Sequence, residues 1–255
     1  MSNLPELYFI LGLRGSGRHA IVADLIEGGI DDQESVLLIT AQSEITALPK
    51  IKHPNLTTLT WAWEPSSAPA METGRIVTPE LPETNHVFLI GDGSLNPVDQ
   101  VEAFLHWTQA RRWPVTRILT VMHCQLAEQH SAVAAWYDAC IHFSDCVLLN
   151  RRDGVANAWV GDLQKRFEKA CSPCLFELVK KDKVRNPAMI LDPEPRRLSL
   201  VFDDLDAIDT LDLDEENLPE EPFDLTLATD PYLERLSGGR RAKPIPDLAD
   251  IPLPG

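Results

Sequence analysis

The sequence has no apolar run of the roughly 18 to 20 residues that a membrane-spanning helix needs. Residues 1–6 lack the basic start of a secretory signal, and no small-residue cleavage site follows them. Cysteine is scarce, because 5 cysteines in 255 residues are too few and too unevenly spread for a disulfide framework. These absences predict a cytoplasmic protein with reduced thiols and no membrane partner.

Positive charge is scarce as well, since 23 Lys and Arg stand against 39 Asp and Glu, for a net charge of -16. Surfaces that bind nucleic acid need clustered basic side chains to displace counterions from the phosphates. We therefore expect no nucleic-acid partner. A single nucleotide is not excluded as a ligand, because one triphosphate needs only a local positive site.

The acidic residues are concentrated towards the C-terminus. Residues 192–255 hold 17 of the 39 acidic residues, 6 of the 23 basic residues and 9 of the 20 prolines. Such a segment repels itself and offers little contiguous apolar surface. We expect a folded domain over residues 1–191 and a largely disordered acidic tail over residues 192–255, with room for short segments that dock on a client protein or on the domain. Residues 197–202 are a candidate for a last strand.

Short apolar runs alternate with longer mixed segments through residues 1–191. This alternation is typical of an α/β domain with a mostly parallel sheet and helices on both faces. The predicted strands are residues 7–11, 35–40, 56–63, 86–91, 116–122, 145–150 and 174–179. The predicted helices are residues 20–26, 97–111, 128–142 and 155–170, and residues 64–82 are predicted to form a loop.

A glycine-rich loop separates the first predicted strand from the first predicted helix. Gly12 and Gly17 occupy the two glycine positions of the pattern G-x-x-x-x-G-K-[ST], in which backbone amides and a helix N-terminus bind phosphate. Arg18 stands at the lysine position, and His19 replaces the hydroxyl that would bind Mg²⁺. The predicted phosphate site comprises Gly12, Arg14, Gly15, Ser16, Gly17, Arg18 and His19. The alternative is a tight turn without a ligand.

A second motif, N-R-x-D, follows the strand predicted at residues 145–150. In this pattern Asp153 would accept hydrogen bonds from the N1–H and amine of guanine, Asn150 would brace the loop, and the stem of Arg151 would lie on the ring. Adenine would be rejected, because it presents an acceptor to the carboxylate. The alternative is a strand-to-helix loop in which Asp153 only caps a helix that begins near Val155.

These motifs, in this order, resemble those of the CobW-type members of the CobW/HypB/UreG group of P-loop GTPases. The resemblance spans roughly residues 6–190 and is most specific in residues 141–153, which are similar to the family's run ending in Leu-Asn-Lys-x-Asp. Residues 88–97 resemble the family's acidic strand end, and residues 186–190 resemble its Asn-Pro-x-Ala segment. The resemblance implies a P-loop fold, GTP or GDP as ligand, and delivery of a metal to an enzyme or cofactor.

The chain departs from this family where the metal chemistry would lie. It has no Cys-x-Cys-Cys motif, and Asp92 is the one carboxylate placed to hold Mg²⁺, through water. Cys171 and Cys174 form one C-x-x-C pair without the second pair of a structural zinc site. These departures argue against magnesium-dependent hydrolysis and metal transfer, and no catalytic residue is assigned.

Three functions follow from these motifs. The first is a guanine-nucleotide-binding protein with weak or absent GTP hydrolysis, a pseudo-GTPase that acts as a scaffold or regulator. The second is an active GTPase metallochaperone that delivers a metal to a client protein. The third, a small-molecule P-loop kinase, is disfavoured because the N-R-x-D motif has no role in it. We expect the first, because the residue changes at positions 18 and 19 outweigh the retained glycines.

Overall fold

The computed structural model describes residues 4–67, 73–203, 229–249 and 251–252. The strands within these residues are β1 (Glu6–Leu11), β2 (Val36–Ala41), β3 (Leu56–Pro65), β4 (Gly74–Val77), β5 (His86–Ile90), β6 (Arg117–His123), β7 (Cys146–Asn150) and β8 (Leu175–Leu178). They form one sheet in the order β4-β3-β2-β5-β1-β6-β7-β8. Neighbouring strands are parallel except β3 and β4, which are antiparallel. The predicted α/β fold with a mostly parallel sheet is confirmed.

Helices cover both faces of this sheet. They are α1 (Arg18–Gly29), α2 (Pro97–Arg111), α3 (Cys124–Gln129), α4 (Ser131–His142), α5 (Asn157–Lys169) and α6 (Pro187–Leu191), and a 3-10 helix spans Gln42–Ala47. Tyr8 and Ile10 of β1 pack with α1 and α6, whereas Phe9 and Leu11 pack on the opposite face with α2 and α4. β1 is therefore buried on both sides, as its uninterrupted apolar run predicts. Within the described residues, no helix has both the length and the apolar character to span a bilayer.

The ends of the helices follow local signals to different degrees. The helix predicted at residues 97–111 has those bounds, since Asn96 Oδ1 accepts the amides of Val98 and Asp99 at 2.9 and 3.4 Å. The helix predicted at residues 128–142 is instead two helices, α3 and α4, because the chain extends at His130.

The loop predicted at residues 64–82 contains a strand. β4 pairs with the end of β3, with Ala62 opposite Val77 and Pro65 opposite Gly74. Gly74 packs closely against the Trp63 ring. A Cβ added at residue 74 would lie 2.5 Å from Trp63 Cζ2. This strand has only four residues and begins with a glycine, so its sequence carries little strand signal.

Two of the described parts of the tail lie on the domain. Arg197 is buried and forms an ion pair of 3.1 Å with Asp145, at the start of β7. Tyr232 is buried against His142, whose Nε2 lies 2.8 Å from the Asp230 carboxylate. Residues 197–202 form no strand, so that prediction is wrong, because their backbone turns at residues 201–203. Most of the acidic stretch, residues 204–228, lies outside the described residues, and its predicted disorder stays a prediction.

Candidate nucleotide-binding site

The predicted site residues gather at the carboxyl ends of the parallel strands. The glycine loop follows β1, Asp92 follows β5, His123 ends β6, and the N-R-x-D motif follows β7. Ligands of open α/β sheets bind at this edge. A cleft of about 370 Å³ opens here between the glycine loop, the 3-10 helix, His123 and Arg151.

Two glycines of the loop are required by their surroundings. Gly12 has a φ of 142°, and a Cβ there would lie 2.4 Å from the carbonyl oxygen of Val121. Gly17 has a φ of 94°, and its Cβ would lie 2.5 Å from Asn150 Nδ2. Both backbone angles and both close approaches exclude a larger side chain without strain. The glycine pattern therefore reflects real constraints on this loop.

Part of the loop's amide set is already bonded within the protein. Leu13 N–H donates to the Tyr137 hydroxyl at 3.3 Å, Arg14 N–H donates to the Gly93 carbonyl at 3.3 Å, and Ser16 N–H donates to the Leu13 carbonyl at 3.1 Å. The Ser16 side chain is fully buried, and its Oγ has no partner among the described residues. The loop thus has internal hydrogen bonds like those of a tight turn, and its residues also line the cleft.

Tyr137 ties this loop to the end of β6. Its hydroxyl accepts the His123 amide at 2.9 Å and donates to the Val121 carbonyl at 3.3 Å, in addition to its bond with Leu13. Burial raises the pKa of this tyrosine well above its usual range. Nothing in the sequence distinguishes Tyr137 from other aromatic residues of a helix, and only the packing of α4 reveals its role.

The Arg18 side chain does not extend into open solvent. Its Nη2 donates to both carboxylate oxygens of Glu44 at 2.9 and 2.8 Å, and its Nη1 donates to the Gly91 carbonyl. The exposed fractions of the Arg18 and Glu44 side chains are 2% and 3%. The guanidinium expected to contact phosphate is therefore paired with a carboxylate that belongs to neither sequence motif.

His19 is uncharged near neutral pH. Burial, followed by the nearby positive charge of Arg18, lowers the pKa of His19 to about 4. Its Nε2 lies 3.0 Å from Thr40 Oγ1, at the end of β2. The imidazole thus adds no positive charge to the cleft. It also engages the Thr40 hydroxyl in a hydrogen bond.

The residues at the predicted magnesium position do not fit that ion. Asp92 uses one carboxylate oxygen to accept the Ser94 amide at 2.8 Å and the other to accept the Ser43 hydroxyl. Mg²⁺ prefers oxygen ligands in an octahedral arrangement, and position 19 offers an imidazole instead of a hydroxyl. Within the described residues, no three His, Cys, Asp or Glu side chains form a group that could hold a metal. The C-x-x-C pair is split, since Cys171 is exposed and Cys174 is buried.

The N-R-x-D motif is in direct contact with the glycine loop. Asn150 Nδ2 donates to the Ser16 carbonyl at 2.7 Å, and Arg151 Nε donates to the Gly15 carbonyl at 3.2 Å. Arg151 adopts a positive φ of 50°, which turns the chain back towards the loop. The two segments singled out from sequence therefore form one continuous rim.

Asp182 holds this rim from the other side. Its carboxylate accepts Asn150 Nδ2 at 2.7 Å and pairs with Arg151 Nη1 at 3.1 Å. It lies in a turn between Lys180 and Lys183 that follows β8. Sequence reasoning missed Asp182, although its place after the strand next to β7 puts it at the same edge of the sheet.

Asp153 is exposed at the outer end of this rim. Its carbonyl, and not its carboxylate, accepts a hydrogen bond from Gln125 Nε2. Helix α5 begins at Asn157 after Ala156, without a side-chain cap. The alternative in which Asp153 caps that helix is therefore wrong, and its carboxylate has no such structural role.

Comparisons with known proteins add a likeness of fold. No protein-family model matches the chain, and no curated protein matches it. A Zn(II)-bound triple mutant of the YjiA GTPase is similar to it at 11% identity and a TM-score of 0.42, over 78% of this chain and 69% of that chain. The Zn(II)-bound YjiA GTPase from E. coli is similar at 11% identity and a TM-score of 0.39, over 76% of this chain and 67% of that chain. Likeness of this degree assigns no function.

Proposed function

We propose that the chain is a guanine-nucleotide-binding protein resembling CobW-type P-loop GTPases, with weak or absent GTP hydrolysis. One observation carries the proposal: the Asn150 amide and the Arg151 guanidinium hydrogen-bond to carbonyls of the glycine loop. The phosphate-loop pattern is thereby joined to the base-recognition pattern, and Arg151 of the latter lines the same cleft. We place GTP or GDP in it, with phosphates near Gly15 to His19 and the base near Asp153.

The preference for guanine follows from hydrogen-bond chemistry. A carboxylate at position 153 accepts two N–H donors, and guanine presents two in the N1–H and the exocyclic amine. Adenine presents a ring acceptor at N1, which the carboxylate repels. Guanine therefore gains two hydrogen bonds to a charged acceptor, which adenine cannot form.

Weak hydrolysis follows from the surroundings of the phosphate loop. Hydrolysing P-loop enzymes use a loop lysine and a magnesium ion held by a loop hydroxyl to neutralise developing charge. Here Arg18 is bound to Glu44, and His19 is neutral and bonded to Thr40. A protein of this kind would act as a scaffold or regulator through its nucleotide-bound conformation. The acidic tail would be the segment that binds a client protein.

The substitution Asp153→Asn tests this proposal by changing the preferred base. An asparagine offers one acceptor and one donor, which matches the N1–H and the C2 carbonyl of xanthine but not the two donors of guanine. We expect the affinity for GDP to fall on the order of 100-fold and the affinity for XDP to rise by a similar factor. Isothermal titration with GDP, XDP and ADP measures all three.

The control for this experiment is Asp138→Asn, which removes a half-buried carboxylate paired with Arg166 away from the cleft. It should leave all three affinities unchanged. Unaltered GDP binding by the Asp153→Asn protein would remove the base-recognition role and, with it, the proposed ligand.

A further inference from the structure

Glu44 is the most unusual group in the proposed nucleotide cleft. Its two carboxylate oxygens both accept from Arg18 Nη2, and one of them lies 3.3 Å from Arg14 Nε. A carboxylate that accepts from arginine side chains resembles a phosphate in its negative charge and in its acceptor oxygens. Glu44 thus satisfies within the protein the same donors that a bound phosphate would use.

The charges that line the cleft are nearly balanced without a ligand. Its cations are Arg14, Arg18 and Arg151, of which the first two share Glu44 as their partner and the third pairs with Asp182. His19 adds nothing because it is neutral at physiological pH. A ligand phosphate that enters this cleft meets three arginines that each already have a carboxylate partner, so it must compete with those partners.

The position of Glu44 makes such an exchange feasible. It is the one buried residue of the 3-10 helix Gln42–Ala47, whose other five residues are exposed. A rotation of this helix outwards would separate Glu44 from Arg18 without removing an apolar side chain from the core. The ion pair with Arg18 and the hydrogen bond from Ser43 to Asp92 therefore hold this helix against the cleft.

We infer that Glu44 is an internal anion that competes with the phosphates of the ligand for Arg14 and Arg18. This inference rests on the proposed guanine site. The ligand class is guanine nucleosides and nucleotides, for which the base supplies most of the binding free energy and each added phosphate contributes little. Guanosine and GMP bind the natural protein about as tightly as GDP and GTP. Removal of the Glu44 charge restores the dependence on phosphate.

The experiment measures the affinities of guanosine, GMP, GDP, GTP and pyrophosphate for the natural protein and for Glu44→Gln. The natural protein should show less than about a threefold difference between guanosine and GTP. The E44Q protein should bind GDP on the order of tenfold to 100-fold more tightly than guanosine, as expected for charge-assisted hydrogen bonds to two freed arginines. Pyrophosphate should bind E44Q more tightly by a similar factor. Glu64→Gln, which removes an exposed carboxylate on β3, is the matched control and should behave as the natural protein.

The outcomes separate this inference from the proposed function. A natural protein that gains tenfold or more with each phosphate contradicts the inference, and so does an E44Q series as flat as the natural one. Failure of guanosine to bind either protein contradicts the guanine site, whereas tighter pyrophosphate binding by E44Q would still support the role of Glu44. If E44Q does not fold at the assay temperature, the affinities of guanosine, GMP, GDP and GTP for the natural protein test the inference alone.

Discussion

Replacing Gly17 by alanine is expected to reduce GDP affinity on the order of 100-fold. The reason is geometric, since a Cβ at this position would lie 2.5 Å from Asn150 Nδ2 and 2.6 Å from Asp182 Oδ1. The backbone φ of 94° is also unfavourable for any residue with a Cβ, by about 1 to 2 kcal/mol. The loop and the N-R-x-D rim would move apart, and the hydrogen bond between Asn150 and the Ser16 carbonyl would be lost.

A second glycine provides the control for this substitution. Gly161 lies within α5, and an added Cβ there meets no atom within 4 Å. Gly161→Ala should leave GDP affinity unchanged and raise the free energy of unfolding by about 0.5 to 1 kcal/mol, because alanine favours the helix. Titration with GDP and urea unfolding of both variants measure these effects. Full GDP affinity in Gly17→Ala would show that the contact between loop and rim does not build the ligand site.

The substitution Asp145→Asn is expected to lower the free energy of unfolding by about 3 to 5 kcal/mol. Asp145 accepts the amides of Ile118 and Arg196 and forms a 3.1 Å ion pair with Arg197. The exposed fractions of the Asp145 and Arg197 side chains are 0% and 2%. Asparagine keeps the shape but leaves the buried Arg197 guanidinium with Asp203 as its remaining acidic partner, and it turns one acceptor into a donor.

Urea unfolding compares this variant with Asp138→Asn. Asp138 pairs with Arg166 at the surface, where removal of one partner changes stability by about 1 kcal/mol or less. The difference in the free energy of unfolding between the two variants measures how much the contacts of Asp145 with Arg196 and Arg197 stabilise the protein. Equal stabilities would mean that this part of the tail does not belong to the folded domain.

Much of the central fold is predictable because its signals are local. The buried strand at residues 7–11 has an uninterrupted apolar run, and Asn96 with Pro97 fixes the start of α2. The parallel order of the strands then brings residues 12–17 and 150–153 to one edge, since strand ends of a parallel sheet face the same way. Their contact is a consequence of topology that two short motifs, read in order, can anticipate.

The features that the sequence did not reveal depend on contacts between distant residues. Glu44 and Asp182 look like ordinary charged residues of loops, and only the fold places them against Arg18 and Asn150. The packing of the tail also depends on distant residues, because Tyr232 packs on α4, which ends about ninety residues earlier in the chain. The acidic and proline-rich residues of the tail dominate its composition and conceal single anchoring side chains.

Titration of the natural protein with GDP and ADP, each with and without Mg²⁺, tests the central claim most directly. The shared cleft of the glycine loop and the N-R-x-D rim predicts that GDP binds on the order of 100-fold more tightly than ADP, because adenine leaves Asp153 without a donor. The misfit of the residues around Asp92 and His19 predicts that Mg²⁺ changes neither affinity by more than about threefold. Equal binding of GDP and ADP, or binding of neither, would contradict the account.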